Sequence, residues 1–399
     1  MVWRPTMVCL SPFFPYPPDH GGAVRIFNLL RYLADGCDIT LLTLTDVLPS
    51  PEALETLRPY CRDIQVFPRT RQRRSYTPRL VPPAVFLDDV PDLHSTLQKL
   101  QTQMPFDILQ IEYPSMAQYL AYRQNSATLL TELDVTYLSC YRRFRLERSW
   151  PLKIRRFLAF ITFFYYEMRQ LPRFDAVIAM SEYDRQVLHR WLPRLPIEVI
   201  PNGVDCTHFV PRPQPVSAEK TLLFVGNFRH PPNVDAVRFL LEQIWPPLMH
   251  TRSTLRLVIV GPEPPPEVQS AANTRLIVTG RVADVRDYYA QADVLVVPLR
   301  FGSGTRIKIL EAFAAGVPVV STLLGIEGIN AEPERHFLQA ETPQTFVQQI
   351  GRLLNTPALG ERLAREARQL VENRYDWKAL AEHQFDLYLR VMQGRKTRL

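Results

Sequence analysis

This sequence has few cysteines and lacks a long apolar run. Its 5 cysteines, at positions 9, 37, 61, 140 and 206, lie far apart and form no Cys-x-x-Cys motif, so we expect neither a zinc cluster nor a disulfide framework. The longest apolar run, residues 157–166, is about half of the roughly 20 residues that a membrane-spanning helix requires. The N-terminal segment reaches prolines early and lacks the apolar region of a signal peptide. These absences favour a cytoplasmic protein that does not cross a bilayer.

The rest of the composition is ordinary for a globular protein. Of the 399 residues, 46% are hydrophobic and 22% are charged. A chain of this length exceeds one ordinary hydrophobic core and fits two domains of typical size.

Predicted strands and helices alternate along the chain, which favours parallel sheets. Residues 210–220 are rich in proline and polar residues, as an exposed linker would be. The sequence therefore predicts two doubly wound α/β domains, residues 1–210 and 211–374. The predicted strands are Thr6–Leu10, Asp38–Leu44, Ile64–Phe67, Asp107–Ile111, Thr128–Glu132, Asp175–Met180 and Ile197–Ile200 in the first domain, and Thr221–Phe228, Arg256–Gly261, Arg275–Val278, Val294–Leu299 and Val317–Ser321 in the second.

The most informative segment, residues 294–325, combines a strand, a glycine loop, a helix, a glycine stop and a second strand. The Gly-Ser-Gly sequence at 302–304 permits a tight turn into the helix. The first turn of a helix presents unpaired N–H groups and the positive end of the helix dipole. Arg306 and Lys308 add two positive charges there. This combination predicts a binding site for phosphate, and a diphosphate would suit it.

Glu311 follows Lys308 by three residues, so the two side chains share one face of the predicted helix. A carboxylate can accept two hydrogen bonds side by side, which matches the vicinal hydroxyls of a ribose. A nucleoside diphosphate would therefore fit this helix end. The alternative is an ordinary lysine–glutamate pair on the protein surface.

This segment resembles the donor-site signature of the family 4 retaining glycosyltransferases. The resemblance covers nearly the whole chain and implies a GT-B enzyme, in which two doubly wound Rossmann-like domains face each other across a cleft that binds a nucleotide sugar. It also implies that the C-terminal helix, residues 375–399, packs back on the first domain. The other segments that carry the resemblance are TLLFVGNF at 221–228, LVIVGPEP at 257–264, VTGRVADVRDYYAQADV at 278–294 and VIPNGVD at 199–205.

The resemblance assigns roles to individual residues. Glu311 resembles the ribose-binding glutamate of the Glu-x7-Glu motif of the family, and Arg306 and Lys308 are implied to bind and stabilise the departing diphosphate. The first glutamate of that motif would fall at Ser303, a departure that puts the identity of the sugar in doubt. The alternative is a plain turn for Gly21, Gly22 and Asn202, and a solvated loop arginine for Arg281. The remaining implied donor contacts are Gly21, Gly22, Asn202, Gly226, Arg281, Gly304 and Thr305.

Glu112 stands where many relatives carry a histidine close to the anomeric carbon of the sugar. A carboxylate there could stabilise oxocarbenium-like charge or receive the acceptor proton. The alternative is a carboxylate that only hydrogen-bonds the acceptor or a loop.

Glu132 and Asp134, at the end of the next predicted strand, are candidate acceptor-binding residues. Their spacing could also suit a divalent cation. The resemblance argues against an essential metal, because Arg306, Lys308 and the helix N-terminus can neutralise the diphosphate, so we expect no cofactor and no metal.

The net charge of +7 is concentrated in two clusters. In the second cluster, within residues 142–157, basic residues are interspersed with Phe144, Trp150 and Phe157. This pattern is typical of a segment on an anionic membrane surface, and a solvated basic face is the alternative. No nucleic-acid motif accompanies the charge, so we expect no nucleic-acid partner. The clusters are Arg69, Arg71, Arg73, Arg74 and Arg79, and then Arg142, Arg143, Arg145, Arg148, Lys153, Arg155 and Arg156.

Together these features predict a hexosyltransferase that uses a nucleotide-diphosphate sugar and a glycan or lipid-linked acceptor, in cell-envelope or extracellular polysaccharide synthesis. The family resemblance implies that the transfer retains the anomeric configuration. Its predicted location is the cytoplasm, with peripheral contact on the inner face of the membrane. Two alternatives remain: a nucleotide-sugar epimerase of the same fold, and a catalytically silent nucleotide-sugar-binding subunit.

Overall fold

A computed structural model describes residues 3–69, 81–211, 219–302 and 304–396. The chain forms two compact units, one ending at Pro201 and completed by the residues from Lys378 onward, and one running from Asn202 to Trp377. The division therefore precedes the boundary that the sequence predicted at 210 and 211. The reason is that the backbone of Val204 pairs with Asp376, which ties residues after Pro201 to the second unit. Most of the predicted linker, residues 212–218, lies outside the described residues.

The first unit contains a sheet of seven parallel strands in the order β3-β2-β1-β4-β5-β6-β7. Its inner strands are apolar and buried, as expected of a sheet covered by helices on both faces. All seven strands were predicted from the sequence. They are β1 (Thr6–Ser11), β2 (Asp38–Thr45), β3 (Asp63–Pro68), β4 (Ile108–Glu112), β5 (Ala127–Glu132), β6 (Ala176–Ala179) and β7 (Ile197–Val199).

Helices connect these strands, and the C-terminal helix of the chain also belongs to this unit. Tyr388 of that last helix is fully buried and donates a 3.1 Å hydrogen bond to Oε1 of Gln110. The helices are α1 (Gly21–Leu33), α2 (Pro51–Leu57), α3 (Pro83–Leu87), α4 (Pro91–Gln103), α5 (Thr136–Leu146), α6 (Trp150–Gln170), α7 (Glu182–His189) and, at the end of the chain, α16 (Trp377–Lys396), with short 3₁₀ segments at Arg58–Tyr60, Pro114–Tyr122 and Leu171–Arg173.

The second unit contains a sheet of six parallel strands in the order β10-β9-β8-β11-β12-β13. Five of these strands were predicted from the sequence, and the two-residue strand β13 was not. The order reverses at β8 and β11, and ligands of doubly wound sheets bind beyond the carboxyl ends of the strands at such a point. The strands are β8 (Lys220–Val225), β9 (Leu255–Val260), β10 (Leu276–Gly280), β11 (Val294–Val297), β12 (Val319–Ser321) and β13 (Leu338–Gln339).

The helices of the second unit pack around this sheet. Helix α8 continues through a π-helical segment, Leu240–Ile244, into α9. Among the described residues, no helix is long and apolar enough to cross a membrane. The helices are α8 (Pro231–Phe239), α9 (Trp245–Thr251), α10 (Pro266–Ser270), α11 (Arg286–Gln291), α12 (Ile307–Ala314), α13 (Leu323–Ile326), α14 (Pro343–Asn355) and α15 (Pro357–Arg374).

Candidate functional site

The predicted glycine loop and helix of residues 294–325 are present in the second unit. Gly302 and Gly304 have φ values of +122° and +78°, a backbone region that favours glycine, and α12 begins at Ile307. Arg306 is the N-cap residue, and its guanidinium donates a hydrogen bond to the carbonyl of Gly304. The loop therefore directs the N-terminus of α12 and a guanidinium to the same edge of the sheet. Ser303 lies outside the described residues, and Thr305 stands half-buried between Gly304 and the cap.

Lys308 lies in the first turn of α12 and is half-buried. Its ammonium group donates a 2.8 Å hydrogen bond to Oδ1 of Asn233 and lies 5.1 Å from the centre of the Phe224 ring. Burial, with a smaller contribution from the positive charge of Arg306, lowers the pKa of Lys308 to about 7. A bound anion would offset both effects, so this lysine is suited to a phosphate group.

Glu311 lies one turn further along α12. Oε2 of its carboxylate accepts a 2.8 Å hydrogen bond from the hydroxyl of Tyr289, a residue of α11. Burial raises the pKa of Glu311, whereas the Tyr289 hydroxyl and the charge of Lys308 lower it. The structure therefore places Arg306 at the N-cap of α12 and Lys308 and Glu311 within the helix. Their roles in donor binding stay predictions.

Glycines at the ends of β8 and β9 allow close backbone approach beside this helix. A Cβ atom at Gly261, where φ is +150°, would lie 1.8 Å from the carbonyl oxygen of Gly226. A Cβ atom at Gly226 would lie 3.0 Å from Cγ of Asn233, which bonds Lys308. The packing therefore requires glycine at position 261, whereas a side chain at position 226 would only press on Asn233. The donor contact of Gly226 stays a prediction.

Two other predicted donor residues, Arg281 and Asn202, differ in their exposure to solvent. Arg281 is exposed just after β10. The hydrogen bond from Arg229 is the main cause that lowers the pKa of Glu263, and the charge of Arg281 adds a smaller decrease. Asn202 is buried, and its side-chain oxygen has no hydrogen-bond partner in the described part of the chain. Their donor-binding roles remain predictions.

In the first unit, Gly21 and Gly22 begin α1, with His20 as the N-cap residue. A Cβ atom at Gly22 would lie 2.3 Å from the hydroxyl oxygen of Tyr113 and 2.8 Å from Cζ of Phe13. Close packing therefore explains the glycine at position 22 without a ligand. The donor contacts predicted for both glycines remain predictions.

Glu112 is buried at the carboxyl end of β4, next to Tyr113, which has a φ of +72°. Oε1 of Glu112 accepts a 3.1 Å hydrogen bond from Gln110, while Oε2 has no partner among the residues described. Burial raises the pKa of Glu112, and the positive charge of Arg25 is the largest opposing influence.

Arg25, on α1, is fully buried and was not predicted from the sequence. Its Nη1 donates a 2.7 Å hydrogen bond to the carbonyl of Pro201, whereas Nε and Nη2 have no partner within the described ranges. Burial lowers the pKa of Arg25 to about 10, against the charge of Glu112. A buried cation therefore accompanies the carboxylate that we predicted to be catalytic.

Glu132, at the carboxyl end of β5, is fully buried together with Glu167 of α6. Burial and mutual repulsion raise the pKa of Glu132 well above its usual value, and burial raises that of Glu167. Asp134 is half-buried and accepts a 2.7 Å hydrogen bond from the hydroxyl of Ser139. Contact of Glu132 and Asp134 with an acceptor stays a prediction. Among the described residues, no group of three or more His, Cys, Asp or Glu side chains is arranged to hold a metal ion.

Sequence reasoning missed several residues of these two clusters. Asn233 and Tyr289 reach α12 from helices that precede it in the chain, so spacing within the signature segment gives no sign of them. Arg25 lies four residues before the buried Leu29, and this spacing on α1 was an available signal.

Two family models match separate parts of the chain. The model described as Glycosyltransferase Family 4 matches residues 20–208, and the model described as Glycosyl transferases group 1 matches residues 219–356. Each model thus matches the larger part of one unit.

Curated relatives agree with these family matches. An uncharacterized 44.6 kDa protein in the cps region of Klebsiella pneumoniae is 22% identical over 93% of this chain and 97% of its own length. A lipopolysaccharide 1,2-N-acetylglucosaminetransferase of Salmonella typhimurium is 24% identical over 53% of this chain and 62% of its own length. A phosphatidyl-myo-inositol mannosyltransferase of Mycobacterium leprae is 30% identical over 47% of this chain and 52% of its own length. The chain thus spans less than two thirds of the length of each of these last two relatives.

Solved structures share the fold along almost the whole chain. Sucrose-phosphate synthase from Thermosynechococcus elongatus has a TM-score of 0.74 at 20% identity, covering 98% of this chain and 100% of that one. HepE of Anabaena, solved in complex with UDP and glucose, has a TM-score of 0.68 at 14% identity, covering 96% of this chain and 99% of that one.

Proposed function

The chain belongs to family 4 of the glycosyltransferases and has the GT-B fold of two Rossmann-like domains, and from this premise we propose that it transfers a hexose from a nucleotide-diphosphate sugar to a glycan or lipid-linked acceptor. The proposal includes retention of the anomeric configuration. It places the reaction in the synthesis of the cell envelope or of an extracellular polysaccharide.

The observation that carries this proposal is the arrangement at the N-terminus of α12. Arg306 and Lys308 lie where the unpaired N–H groups of the helix also attract an anion. Glu311, held by Tyr289, follows on the same helix and suits a pair of ribose hydroxyls. The solved complex of HepE with UDP-glucose supports the choice of a nucleotide sugar as the donor.

The same groups suggest how the chain would assist the reaction. As the glycosidic bond breaks, negative charge accumulates on the leaving diphosphate, and fixed positive groups stabilise that charge. Arg306, Lys308 and the helix N-terminus would supply this stabilisation, with no essential metal in the proposal. The leaving phosphate would guide the acceptor hydroxyl to the same face of the sugar. Glu112 would stabilise positive charge on the sugar or receive the acceptor proton.

The named relatives support an acceptor of the cell envelope. One is named a lipopolysaccharide 1,2-N-acetylglucosaminetransferase, and another is named a phosphatidyl-myo-inositol mannosyltransferase. We infer that this chain uses a glycan or lipid-linked acceptor of the same kind.

Thermal unfolding against UDP, GDP, ADP, CDP and dTDP tests the donor site. A ligand at a hundred times its dissociation constant stabilises the folded state by about 2.7 kcal/mol, which is visible in the melting temperature. We expect one nucleotide to raise it selectively, and we expect Glu311→Ala to abolish the shift while Glu361→Ala, at an exposed position of α15, preserves it. No shift with any nucleotide would contradict the proposal.

Product analysis with the selected nucleotide sugar then separates the candidate activities. A transferase gives a new glycan or lipid-linked sugar and free nucleotide. An epimerase gives a changed free nucleotide sugar, and a silent binding subunit gives neither product. Either of the last two results would overturn the proposed transfer reaction.

A further inference from the structure

Six large apolar side chains of α6 share one face and are exposed to solvent. They recur at i, i+4, i+7, i+8, i+11 and i+15, a spacing that brings side chains to one side of a helix. The exposed fraction ranges from 37% for Ile161 to 75% for Trp150. A continuous apolar surface of this kind marks an interaction site in a folded protein. The six residues, which we term the α6 stripe, are Trp150, Ile154, Phe157, Leu158, Ile161 and Tyr165.

Aromatic packing holds this stripe in place. The rings of Phe144 and Phe157 lie 5.3 Å apart, those of Phe157 and Phe160 lie 6.2 Å apart, and those of Phe160 and Phe164 lie 6.1 Å apart. Such pairs stabilise one arrangement of the helices beyond the area that they bury. Helices α5 and α6 therefore present the stripe on a packed base, so little ordering is required when it binds.

The charge around the stripe is strongly positive. Residues 136–166 contain seven lysines and arginines but only one carboxylate, Glu147, which forms a 2.8 Å ion pair with Arg156. The ammonium group of Lys153 lies 5.5 Å from the ring of Phe144 and 5.8 Å from that of Trp150, at the edge of the stripe. Arg148 and Arg155 are exposed. An apolar face bordered by cations complements a layer that has an apolar interior and an anionic outer surface.

We propose that the α6 stripe and its flanking cations dock the first unit on an anionic lipid surface. Apolar side chains would enter the boundary between headgroups and acyl chains, while the cations pair with lipid phosphates. Helix α6 has 21 residues but includes Lys153, Arg155, Arg156 and Arg169, so it lies in the plane of the interface and does not cross the bilayer. This inference adds a membrane location to the proposed transfer reaction. It is argued from residues of α6 and its surroundings, and not from the residues of the proposed donor site.

Co-sedimentation with vesicles tests the docking. We expect the full chain to sediment with phosphatidylcholine vesicles that contain phosphatidylglycerol, and to stay in solution with phosphatidylcholine alone. Each cation at an anionic surface strengthens binding about fivefold. The double variant Arg148→Glu/Arg155→Glu should therefore weaken vesicle binding by more than about tenfold. The matched control, Arg362→Glu/Arg365→Glu, makes the same change of net charge at exposed positions of α15 and should bind as the parent does.

A second pair of variants tests the apolar contribution. Ile154 and Leu158 are 57% and 58% exposed, so Ile154→Ser/Leu158→Ser should leave thermal unfolding unchanged while reducing vesicle binding. The control Val47→Ser/Leu48→Ser alters side chains that are 80% and 68% exposed outside the stripe, and should retain binding.

Three results would overturn the docking. One is equal recovery in solution with and without anionic vesicles. Another is loss of binding in both control variants. The third is a change in oligomeric state, measured by sedimentation velocity, that depends on Ile154 and Leu158 while vesicles are not bound, because a second copy of the chain would then cover the stripe. Nucleotide-induced stabilisation, measured on the same samples, reports the proposed donor site separately, so either proposal can fail alone.

Discussion

The hydroxyl of Tyr289 donates a 2.8 Å hydrogen bond to Oε2 of Glu311 and also lies 3.0 Å from the carbonyl oxygen of Lys308. One side chain of α11 thus holds the carboxylate and contacts the backbone of the turn that carries the ammonium group. Tyr289 is itself fully buried, which fixes the position of its hydroxyl. The relationship makes α11 a support for the proposed nucleotide site.

Tyr289→Phe should weaken nucleotide binding. The variant keeps the buried ring but removes the donor that orients Glu311, and a hydrogen bond to a charged group contributes about 1.5–3 kcal/mol. We expect the dissociation constant of the selected nucleotide to rise roughly 10- to 100-fold in titration calorimetry. Tyr288→Phe, in the same helix, is the control and should bind normally. An unchanged dissociation constant in Tyr289→Phe would show that the hydroxyl does not support the ribose site.

Binding of a nucleotide sugar should weaken as the pH rises above about 7, because the pKa of Lys308 in the free protein is about 7. A bound diphosphate raises that pKa, so the complex holds a proton that the free protein releases. The dissociation constant then increases by about tenfold per pH unit until the pH reaches the raised pKa. A nucleotide sugar is the appropriate probe, since its diphosphate keeps its charges across this range.

Lys308→Arg is the matched variant for this pH dependence. The guanidinium stays charged throughout the range, so binding should become nearly independent of pH. A steep dependence that persists in Lys308→Arg would assign the titration to another group.

Glu112→Gln should preserve nucleotide binding and lower turnover. General acid–base catalysis contributes about 10²- to 10⁴-fold, and we expect a loss of that order in the rate of product formation. A loss of nucleotide affinity in this variant would reverse the role that we assign to Glu112.

Arg25→Met should shift the pH dependence of turnover by removing the cation that favours ionised Glu112. The pKa of Glu112 would rise further, which moves the acid limb of the pH–rate profile to higher pH. Arg25→Lys retains a positive charge and should restore much of the original profile. A purely structural role of Arg25 would lower the melting temperature without moving that limb.

Stability should fall as the pH rises above the range in which free glutamate ionises, because burial raises the pKa values of Glu132 and Glu167 above 4.5. The folded state retains protons that the unfolded state releases, so the free energy of unfolding decreases with pH until it passes the raised pKa values. Glu167→Gln should reduce this decrease, as measured by the melting temperature across pH. Glu182→Gln, at an exposed position, should not. Identical profiles for the parent and Glu167→Gln would exclude the buried pair as the cause.

The strands were predictable because each is a short apolar run between turn residues. This pattern identified all of the first sheet, whereas β13, with only the residues Leu338 and Gln339, is too short to show it.

The predicted domain boundary lies after the division between the two units, because a high proline content indicates that a segment is exposed and does not show to which core its neighbours belong. The pairing of Val204 with Asp376 determines that membership and depends on residues far apart in the chain.

The signature segment predicted the loop and α12 because phosphate binding depends on local backbone geometry. The partners of its side chains could not be predicted in this way. Asn233 and Tyr289 contact Lys308 and Glu311 only after the sheet has brought α8 and α11 to the same edge.

The first of the two basic clusters lies mostly outside the described residues, which exclude Arg71, Arg73, Arg74 and Arg79. The fifth member, Arg69, forms ion pairs with Asp46 and Asp88.

The position of α16 affects the order in which the protein can be completed during synthesis. Tyr388 bonds Gln110, and Arg395 forms a 2.6 Å ion pair with Asp175, so the first unit contains residues from both ends of the chain. All of the second unit, Asn202 to Trp377, is translated between these two parts. At about 5–20 residues per second, the ribosome would take roughly 10–35 s over that interval. During this interval the nascent first unit lacks its last helix. The ribosome therefore completes the sequence of the second unit before it completes that of the first.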